Sequence, residues 1–251
     1  MNTEGNLARN VSKMSTVIDP LPVAILAGGL ATRLRPITQT IPKALVPVAS
    51  EPFLAHQLRL LARHRLRDIV LCVGYLGSQI EAVFGDGRQH DVRLRYSYDG
   101  PQLRGTAGAL RQALPLLGKS FLVLYGDSYL DIDYSAVSRA FVESNTVALM
   151  TVMENSHGTE PSNVWFNDRR ILAYNKKKPE PQMNHIDYGL SAFRAECFAD
   201  CEDSDLSDLQ SALAMKGALA GFEVTTPYYE IGSPSGLMAL ERYFHQQKPR
   251  L

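Results

Sequence analysis

The first half of the sequence alternates short apolar runs with amphipathic segments, and this alternation is the feature that most constrains the fold. Val23–Leu26 and Asp68–Tyr75 have the length of strands, and Pro52–Leu66 between them carries leucines at helical spacing. Strands and helices in this order predict parallel strands, right-handed crossovers and helices on both faces of the sheet. We therefore expect an α/β fold with a mostly parallel central sheet. Further helices are predicted over Gly77–Phe84, Thr106–Leu117 and Tyr134–Glu143, and further strands over Val92–Tyr98, Ser120–Tyr125 and Thr146–Met153.

After about Glu154 the pattern changes to shorter and more mixed segments. We interpret this part as a smaller α+β region that folds against the first sheet. Its predicted strands are Val164–Phe166, Ile171–Tyr174, Tyr188–Phe193 and Phe222–Tyr229, and its predicted helices are Leu206–Met215 and Pro234–Phe244.

The domain organisation follows from these patterns. Residues 1–19 are polar, with scattered charges and no apolar signal-peptide core, and are predicted to form a flexible N-terminal extension. Residues 20–251 are predicted to form a single domain, with residues 20–154 and 155–251 as its two parts.

The charge and the cysteine content limit which binding partners and which cellular compartment are expected. The 26 Lys and Arg residues are balanced by 26 Asp and Glu residues, so the basic excess typical of nucleic-acid binding is missing. No apolar run approaches the ~20 residues that a membrane span needs. Three cysteines without a CxxC pair favour free thiols in a reducing, cytoplasmic setting. A small anionic ligand bound by a few local cations remains compatible with zero net charge.

The loop after the first predicted strand has the residue types of a phosphate-binding site. Gly28 and Gly29 let backbone N–H groups approach a phosphate, and the guanidinium groups of Arg33 and Arg35 match phosphate oxygens. Lys43 follows within an apolar stretch and can add a point charge. The loop is neither a Walker A motif nor a GxGxxG fingerprint.

Two acidic residues stand where predicted strands end. Asp127 follows Ser120–Tyr125, at the edge of the sheet where ligands bind in open α/β folds. Glu230 precedes a helix predicted to start at Pro234. Carboxylates in these places can bind Mg²⁺, and the structural alternatives are a turn or helix cap for Asp127 and a plain strand end for Glu230. Asp133 is predicted to cap the helix that follows it.

Together these motifs resemble those of the sugar-phosphate nucleotidyltransferase family. That family begins with a strand, then Gly-Gly-x-x-Thr-Arg-Leu-x-Pro-x-Thr, then Pro-Lys, and this sequence matches the pattern from Gly28 to Thr38 and at Pro42-Lys43. The subgroup it resembles most is that of the D-glycero-D-manno-heptose 1-phosphate and mannose 1-phosphate guanylyltransferases. Further matches, in family order, are Gly105-Thr106-Ala107-Gly108-Ala109, Gly126-Asp127, Lys178-Pro179, Asp187-Tyr188-Gly189 and Glu230-Ile231-Gly232-Ser233-Pro234.

The resemblance implies a Rossmann-like nucleotide-diphospho-sugar transferase fold. It also implies in-line attack of a sugar 1-phosphate on the α-phosphorus of an NTP, which gives an NDP-sugar and pyrophosphate. The expected partners are GTP and a heptose or mannose 1-phosphate, the expected cofactor is Mg²⁺, and a homo-oligomer is compatible with the family. The product would be a precursor of lipopolysaccharide, capsule or another glycan.

The resemblance also implies roles for individual residues. Arg33 would bind the pyrophosphate leaving group, Lys43 the α-phosphate, and Asp127 with Glu230 the Mg²⁺ ion; Arg33, Lys43 and Asp127 are the expected catalytic set. The expected nucleotide-binding residues are Leu26, Ala27, Gly28, Gly29, Thr32, Arg33, Gly105 and Thr106, and the expected sugar-phosphate residues are Lys178, Asp187, Gly189 and Asn163.

The sequence departs from the family at several of these places. Glu230 stands where the family usually has Asp, and Lys177 where it often has Glu. Ser162-Asn163 stands in place of a Tyr-Gly pair, and Arg104 in place of a leucine.

Two alternatives to the transferase hypothesis remain open. The departures at Lys177 and Glu230 are compatible with a catalytically silent nucleotide-sugar sensor or regulatory subunit. The triplet Asp131-Ile132-Asp133 is a DxD sequence, which is the metal signature of glycosyltransferases of a related fold.

Overall fold

The computed structural model describes residues 19–156, 158, 161–199, 201 and 205–247. The predicted N-terminal extension lies outside these residues except for Asp19. The strands are β1 (Val23–Leu26), β2 (Pro47–Val48), β3 (Glu51–Pro52), β4 (Asp68–Val73), β5 (Arg93–Tyr98), β6 (Ser120–Tyr125), β7 (Ser128–Tyr129), β8 (Ala148–Glu154), β9 (Val164–Asn167), β10 (Arg170–Tyr174), β11 (His185–Arg194), β12 (Leu219–Glu223) and β13 (Tyr229–Glu230). The helices are α1 (Phe53–Arg63), α2 (Gly77–Phe84), α3 (Gly105–Leu117), α4 (Tyr134–Ser144), α5 (Leu206–Met215) and α6 (Pro234–Gln247).

A nine-stranded sheet forms the centre of the molecule, in the order β5-β4-β1-β6-β11-β8-β12-β10-β9. The neighbours β5, β4, β1 and β6 are parallel, as the alternating pattern predicts. Strand β11 is antiparallel to both β6 and β8, and β12 is parallel to β8. The sheet is therefore mixed, and the predicted α/β class with a Rossmann-like arrangement is confirmed.

The strands after residue 154 extend this sheet, except for β13, which pairs with β7 in a separate two-stranded sheet. Strand β11 enters between β6 and β8, because its residues from Tyr188 to Phe193 are buried and need neighbours on both sides. The strand predicted over Phe222–Tyr229 is wrong in extent: the structure has two strands, β12 and β13, on either side of Pro227. Proline lacks the N–H that a central strand donates to its neighbour.

Helices cover both faces of the sheet, as predicted. Side chains of β1 alternate between the faces: Val23 and Ile25 join one hydrophobic cluster and Ala24 joins the other. Helices α1, α2 and α4 contribute apolar residues to the first cluster, and α3 and α5 to the second. This packing leaves the carboxyl ends of β1, β4 and β6 free at one edge of the sheet.

A short antiparallel pairing between β7 and β13 stands next to that edge. Tyr229 pairs with Tyr129, and Glu230 pairs with Ser128. A third hydrophobic cluster, which includes Leu34 and Leu240, packs α6 against this pairing and against the loop after β1. No helix within the described ranges has both the length and the apolar character that crossing a bilayer requires.

Candidate active site

A cavity of about 250 Å³ opens at the carboxyl ends of β1 and β6. This is the edge where open α/β sheets bind their ligands. Lys43 and Asp127 stand at the cavity, and Thr32 and Arg33 of the predicted nucleotide set are not among its lining residues. The predicted nucleotide residues that line it are Leu26, Ala27, Gly28, Gly29, Gly105 and Thr106, and the other lining residues are Ala44, Cys72, Asp99, Leu103, Ala109, Tyr125 and Gly126.

Gly126 allows the ends of β1 and β6 to meet. Its backbone N–H donates to the Leu26 carbonyl oxygen at 3.0 Å. A Cβ atom at this position would lie 2.5 Å from that oxygen and 3.1 Å from the Ala27 Cα, so a side chain would force the two strands apart. The glycine therefore brings the next residue, Asp127, close to the loop after β1.

Lys43 and Asp127 form an ion pair at the cavity. The Lys43 ammonium donates to Asp127 Oδ2 at 2.8 Å, and both side chains are about one-fifth exposed, at 20% and 21%. Lys43 begins a short 3-10 turn, Lys43–Leu45, in which Ala44 is buried in the core. The buried alanine anchors the turn, so the lysine is presented to the carboxylate from a packed backbone.

Glu230 and Arg33 approach the same place from other elements. A Cβ atom on Gly232 would lie 2.9 Å from Arg33 Nη2, 3.3 Å from Asp127 Oδ2 and 3.4 Å from Glu230 Oε1. The β7–β13 pairing causes this convergence, and the Ile231 N–H donates to the Asp127 carbonyl oxygen at 2.9 Å. The structure thus brings together Arg33, Lys43, Asp127 and Glu230, the four residues expected to carry the chemistry.

The two carboxylates have a suitable arrangement for a divalent cation. Asp127 Oδ2 and Glu230 Oε1 flank a common point, and hard oxygen ligands of this kind suit Mg²⁺. Across the described part of the chain, no three His, Cys, Asp or Glu side chains are grouped as a metal site. A Mg²⁺ ion bound here would need phosphate and water oxygens as its other ligands, which is how Mg²⁺ is commonly bound with nucleotides.

The predicted sugar-phosphate residues Asn163, Asp187 and Gly189 form one hydrogen-bonded group. Asn163 Oδ1 accepts from the Asp187 N–H at 2.9 Å, and Asp187 Oδ1 accepts from the Gly189 N–H at 3.1 Å. The Tyr174 hydroxyl donates to Asp187 Oδ2 at 2.9 Å. A Cβ on Gly189 would lie 3.7 Å from Cδ2 of Tyr125, so the group adjoins the cavity.

The three lysines of the run 176–178 have different surroundings. The expected sugar-phosphate residue Lys178 is exposed, and its backbone N–H donates to Asn175 Oδ1 at 2.9 Å. The Lys177 ammonium contacts both carboxylate oxygens of Asp208 on α5, at 3.1 and 3.3 Å. Lys176 alone of the three contacts Asp187, at 3.2 Å from Oδ2. Sequence reasoning did not single out Lys176, because neighbouring lysines in a run carry no sequence signal that distinguishes them.

The Thr106 hydroxyl belongs to the scaffold. It accepts from the Leu206 N–H at 2.7 Å and lies 3.4 Å from Asp205 Oδ1, at the start of α5. Gly105 and Thr106 therefore have their backbone at the cavity, while the threonine hydroxyl satisfies a free N–H at a helix N-terminus.

Asp99 is a cavity residue that sequence reasoning missed. It directly follows β5, and only 5% of its surface is exposed. Burial raises the pKa of its carboxyl group, and the Arg104 backbone N–H, 3.4 Å from Oδ2, partly offsets this. Arg104, one of the departures from the family pattern, also donates through Nε to the Asp99 carbonyl oxygen at 2.9 Å. The strand-end rule that selected Asp127 also applies to Asp99 and could have found it.

The carboxylates of the DxD triplet have structural partners. Asp133 Oδ1 accepts from the Ala136 N–H at 3.0 Å, which confirms the predicted helix cap on α4. Asp131 Oδ2 accepts from the Tyr243 hydroxyl at 3.4 Å, and its Oδ1 lies 3.6 Å from His64 Nε2. Neither residue lines the cavity.

Comparison with known proteins gives the class that this fold and site define. Residues 23–215 match the family described as Nucleotidyl transferase. The chain therefore belongs to the nucleotidyl transferase family.

Several curated proteins are similar to this chain. The N-acetylmuramate α-1-phosphate uridylyltransferase of Neisseria meningitidis is 34% identical over 195 residues, which is 75% of this chain and 82% of that protein. The mannose-1-phosphate guanyltransferase of Aspergillus fumigatus is 30% identical over 85% of this chain. The UTP–glucose-1-phosphate uridylyltransferase of Synechocystis is 29% identical over 82% of this chain. The chain spans 61% of the Aspergillus protein and 56% of the Synechocystis protein.

Solved structures share the fold. The UDP-glucose pyrophosphorylase of Acinetobacter baumanii has a TM-score of 0.77 at 17% identity, over 92% of this chain and 95% of that one. HddC of Yersinia pseudotuberculosis has a TM-score of 0.75 at 23% identity, over 89% of this chain and 99% of that one.

Proposed function

We propose that this chain is a sugar-1-phosphate nucleotidyltransferase that joins a sugar 1-phosphate to an NTP and releases pyrophosphate. The observation that carries the proposal is the convergence of Arg33 and Glu230 on Asp127, which lines a cavity together with Lys43 and a glycine loop. Two cations and two carboxylates grouped beside one strand-end cavity can bind a triphosphate together with a divalent cation. Because NTPs are cytoplasmic substrates, we propose the cytoplasm as the site of action.

The proposed reaction is an in-line displacement. A phosphate oxygen of the sugar 1-phosphate forms a bond to the α-phosphorus of the NTP, the bond to the bridging α–β oxygen breaks, and pyrophosphate leaves with both electrons. A phosphate monoester is already an anion at neutral pH, so the protein needs no general base. Catalysis then depends on positioning and on charge stabilisation.

Each charged residue has a role in this reaction. Lys43 stabilises the negative charge that develops around the α-phosphorus, and Arg33 binds the pyrophosphate leaving group. Asp127 and Glu230 hold Mg²⁺, which supplies charge neutralisation at the phosphate oxygens when bound. The backbone of Gly28 and Gly29 approaches the phosphates, which a larger residue would obstruct.

Asp99 supports GTP as the nucleotide. An ionised carboxylate only accepts hydrogen bonds, and guanine offers both N1–H and its N2 amino group on one edge. Uracil offers a single N3–H between two carbonyl oxygens, which a carboxylate would repel. Replacing Asp99 by Asn should weaken GTP use and favour XTP, because the Asn amide donates where the carboxylate accepted. An Asp99→Asn variant with unchanged GTP preference would contradict this base assignment.

Mannose 1-phosphate and D-glycero-D-manno-heptose 1-phosphate are the proposed sugar substrates, supported by resemblance to the guanylyltransferase subgroup. The test is a matrix of four NTPs against these two sugars, glucose 1-phosphate and N-acetylmuramate 1-phosphate, each with Mg²⁺. Pyrophosphate release is the readout. GTP with one of the two proposed sugars should give the highest kcat/KM.

Two results of the matrix would contradict the proposal. Turnover of UTP with N-acetylmuramate 1-phosphate in preference to the other pairs would reassign the substrates. Ligand binding with no pyrophosphate from any pair would support the sensor alternative.

A further inference from the structure

Gln57 is a buried polar side chain to which the proposed reaction gives no direct role. It lies on α1 with only 1% of its surface exposed, and it is not among the residues that line the cavity. Leu54 and Leu58 of the same helix are buried in the first hydrophobic cluster, and Phe53 and Leu60 in the third. Because both sides of the helix are closely packed, the backbone from which Gln57 extends is held firmly.

The Gln57 amide bridges two carbonyl groups on either side of Asp127. Its Nε2 donates to the Tyr125 carbonyl oxygen at 3.1 Å and to the Ser128 carbonyl oxygen at 2.7 Å. A glutamine amide nitrogen carries two N–H groups, and both are used here. An amide oxygen in this place would face two carbonyl oxygens, so the two partners determine which way the amide is turned.

The two middle residues of the same segment are held by backbone contacts. The Gly126 N–H donates to the Leu26 carbonyl oxygen at 3.0 Å, and the Asp127 carbonyl oxygen accepts from the Ile231 N–H at 2.9 Å. Gln57 restrains the residue before this pair and the residue after it. Residues 125–128 are thus held from β1, from the residue that follows β13, and from α1.

The direction of the Asp127 side chain depends on this restraint. Its carboxylate lies 2.8 Å from the Lys43 ammonium and is one-fifth exposed, so the surrounding side chains do not fully enclose it. A shift of the Asp127 backbone would change the distances from the carboxylate to Lys43 and to Glu230. Because a displacement of about 1 Å at a reacting group can lower a rate about 100-fold, turnover should be sensitive to the position of this segment.

We propose that Gln57 is a positioning residue for Asp127. By bonding the carbonyl oxygens of Tyr125 and Ser128, it fixes the backbone that presents the Asp127 carboxylate to Lys43 and to a divalent cation. This inference rests on the proposed function, since it assigns Gln57 a role in that reaction.

Gln210 provides a matched control for Gln57. Both glutamines are 1% exposed, and the Oε1 atom of each has no hydrogen-bond partner among the residues that the structure describes. Gln210 lies on α5, its Nε2 donates to the Ser191 hydroxyl oxygen at 3.0 Å, and neither of these two residues lines the cavity. Replacing either glutamine by methionine removes a buried amide of the same kind, but Gln57→Met also releases the segment that carries Asp127.

The first test compares Gln57→Met with Gln210→Met in steady-state pyrophosphate release. The substrates are mannose 1-phosphate and GTP, or the best pair of the substrate matrix. Methionine is about as long as glutamine but has no N–H donor. In Gln57→Met, kcat should fall about 10- to 100-fold, while the KM for the sugar 1-phosphate should stay within about 3-fold of wild type. Gln210→Met should keep the wild-type kcat, even where thermal unfolding shows that both variants lower the melting temperature.

A second measurement does not depend on turnover. Titration calorimetry gives the affinity for the same NTP with and without Mg²⁺, in the absence of the sugar 1-phosphate. Because groups that orient a metal ligand contribute at least about 10-fold to metal affinity, the gain in NTP affinity on adding Mg²⁺ should be about 10-fold smaller in Gln57→Met. Gln210→Met should show the wild-type gain.

Gln57→Asn covers the case in which Gln57→Met does not fold. Asparagine keeps a buried amide but is one methylene shorter, so its nitrogen does not reach both carbonyl oxygens. We expect kcat to fall about 3- to 10-fold in this variant, with the KM for the sugar 1-phosphate unchanged.

Three results would overturn the inference. The first is a wild-type kcat in a folded Gln57→Met or Gln57→Asn variant, and the second is an equal loss of kcat in Gln57→Met and Gln210→Met. Both would leave the proposed function intact. The third is a wild-type chain that releases no pyrophosphate from any pair, which would overturn the proposed function and this inference with it.

Discussion

The Lys43 ammonium lies 2.8 Å from Asp127 Oδ2, although 84 residues separate the two in sequence. Each charge is thus compensated by the other. In the proposed reaction, a triphosphate bound with Mg²⁺ would give the carboxylate a stronger cation and the lysine a phosphate oxygen. The pair would thus prepare both side chains for the proposed reaction without leaving a partly buried charge unpaired.

Removing the charge of Asp127 should abolish turnover without unfolding the protein. Asp127→Asn keeps the size of the side chain but weakens the metal ligand, and we expect kcat/KM to fall at least about 100-fold. Asp131→Asn is the control, because Asp131 lies outside the cavity lining. Pyrophosphate release is the measurement. A large loss in Asp131→Asn with activity retained in Asp127→Asn would overturn the assignment of Asp127 as the metal ligand.

Two glycines at the cavity should respond differently to alanine. Gly126→Ala places a Cβ 2.5 Å from the Leu26 carbonyl oxygen, and the resulting strain should lower the free energy of unfolding by about 1–3 kcal/mol. A Cβ atom at Gly29 would have no atom within 4 Å, so Gly29→Ala should change the free energy of unfolding by less than about 0.5 kcal/mol. Urea unfolding measures both. Equal destabilisation would contradict the close approach of β1 and β6.

Loss of the Thr106 hydroxyl should destabilise α5. Thr106→Val leaves the Leu206 N–H without its acceptor, which should cost about 1 kcal/mol. Thr40→Val is a matched control, because the Thr40 hydroxyl is exposed and makes a 3.5 Å contact with the Ile37 carbonyl oxygen. The free energies of unfolding of the two variants, measured in urea, should differ by most of the cost predicted for Thr106→Val. Equal stability would show that the capping contact contributes nothing.

His56 should make the protein sensitive to mild acid. Burial lowers the pKa of His56 below 6.5, while its Nε2 bonds to the Val48 carbonyl oxygen at 2.8 Å. As the pH falls through 6.5, the unfolded chain takes up a proton that the folded protein resists, so the free energy of unfolding decreases. His56→Gln should reduce this decrease between pH 7 and pH 5.5. His245→Gln, at an exposed position, should leave the decrease as it is in the wild type. If the free energy of unfolding of His56→Gln depended on pH as it does in the wild type, His56 would not be the source of the acid sensitivity.

Local patterns were sufficient to predict most of the elements. The strand over Ser120–Tyr125 and the helices over Gly77–Phe84 and Leu206–Met215 have the predicted bounds. These elements were predictable because periodicity and chain breaks are properties of neighbouring residues.

Pairings between distant segments could not be predicted in the same way. No local sequence pattern indicates that β11 lies between β6 and β8. None indicates that two-residue strands such as β7 and β13 form. The placement of Glu230 beside Asp127 came from family resemblance, and the structure supplies its physical cause in the β7–β13 pairing. The contacts of Lys176 also depend on such long-range packing, which explains why this residue was missed, whereas the strand-end rule could have found Asp99.

The β7–β13 pairing also has a consequence for synthesis of the protein. A chain leaving the ribosome can form β1, β4 and β6, with the glycine loop and Lys43, long before Glu230 is translated. Asp127 then lies beside Lys43, and the second carboxylate, that of Glu230, joins it when β13 has been translated. Because contacts between distant segments form slowly, the docking of β13 on β7 in a nascent chain would mark the moment when Glu230 reaches Asp127.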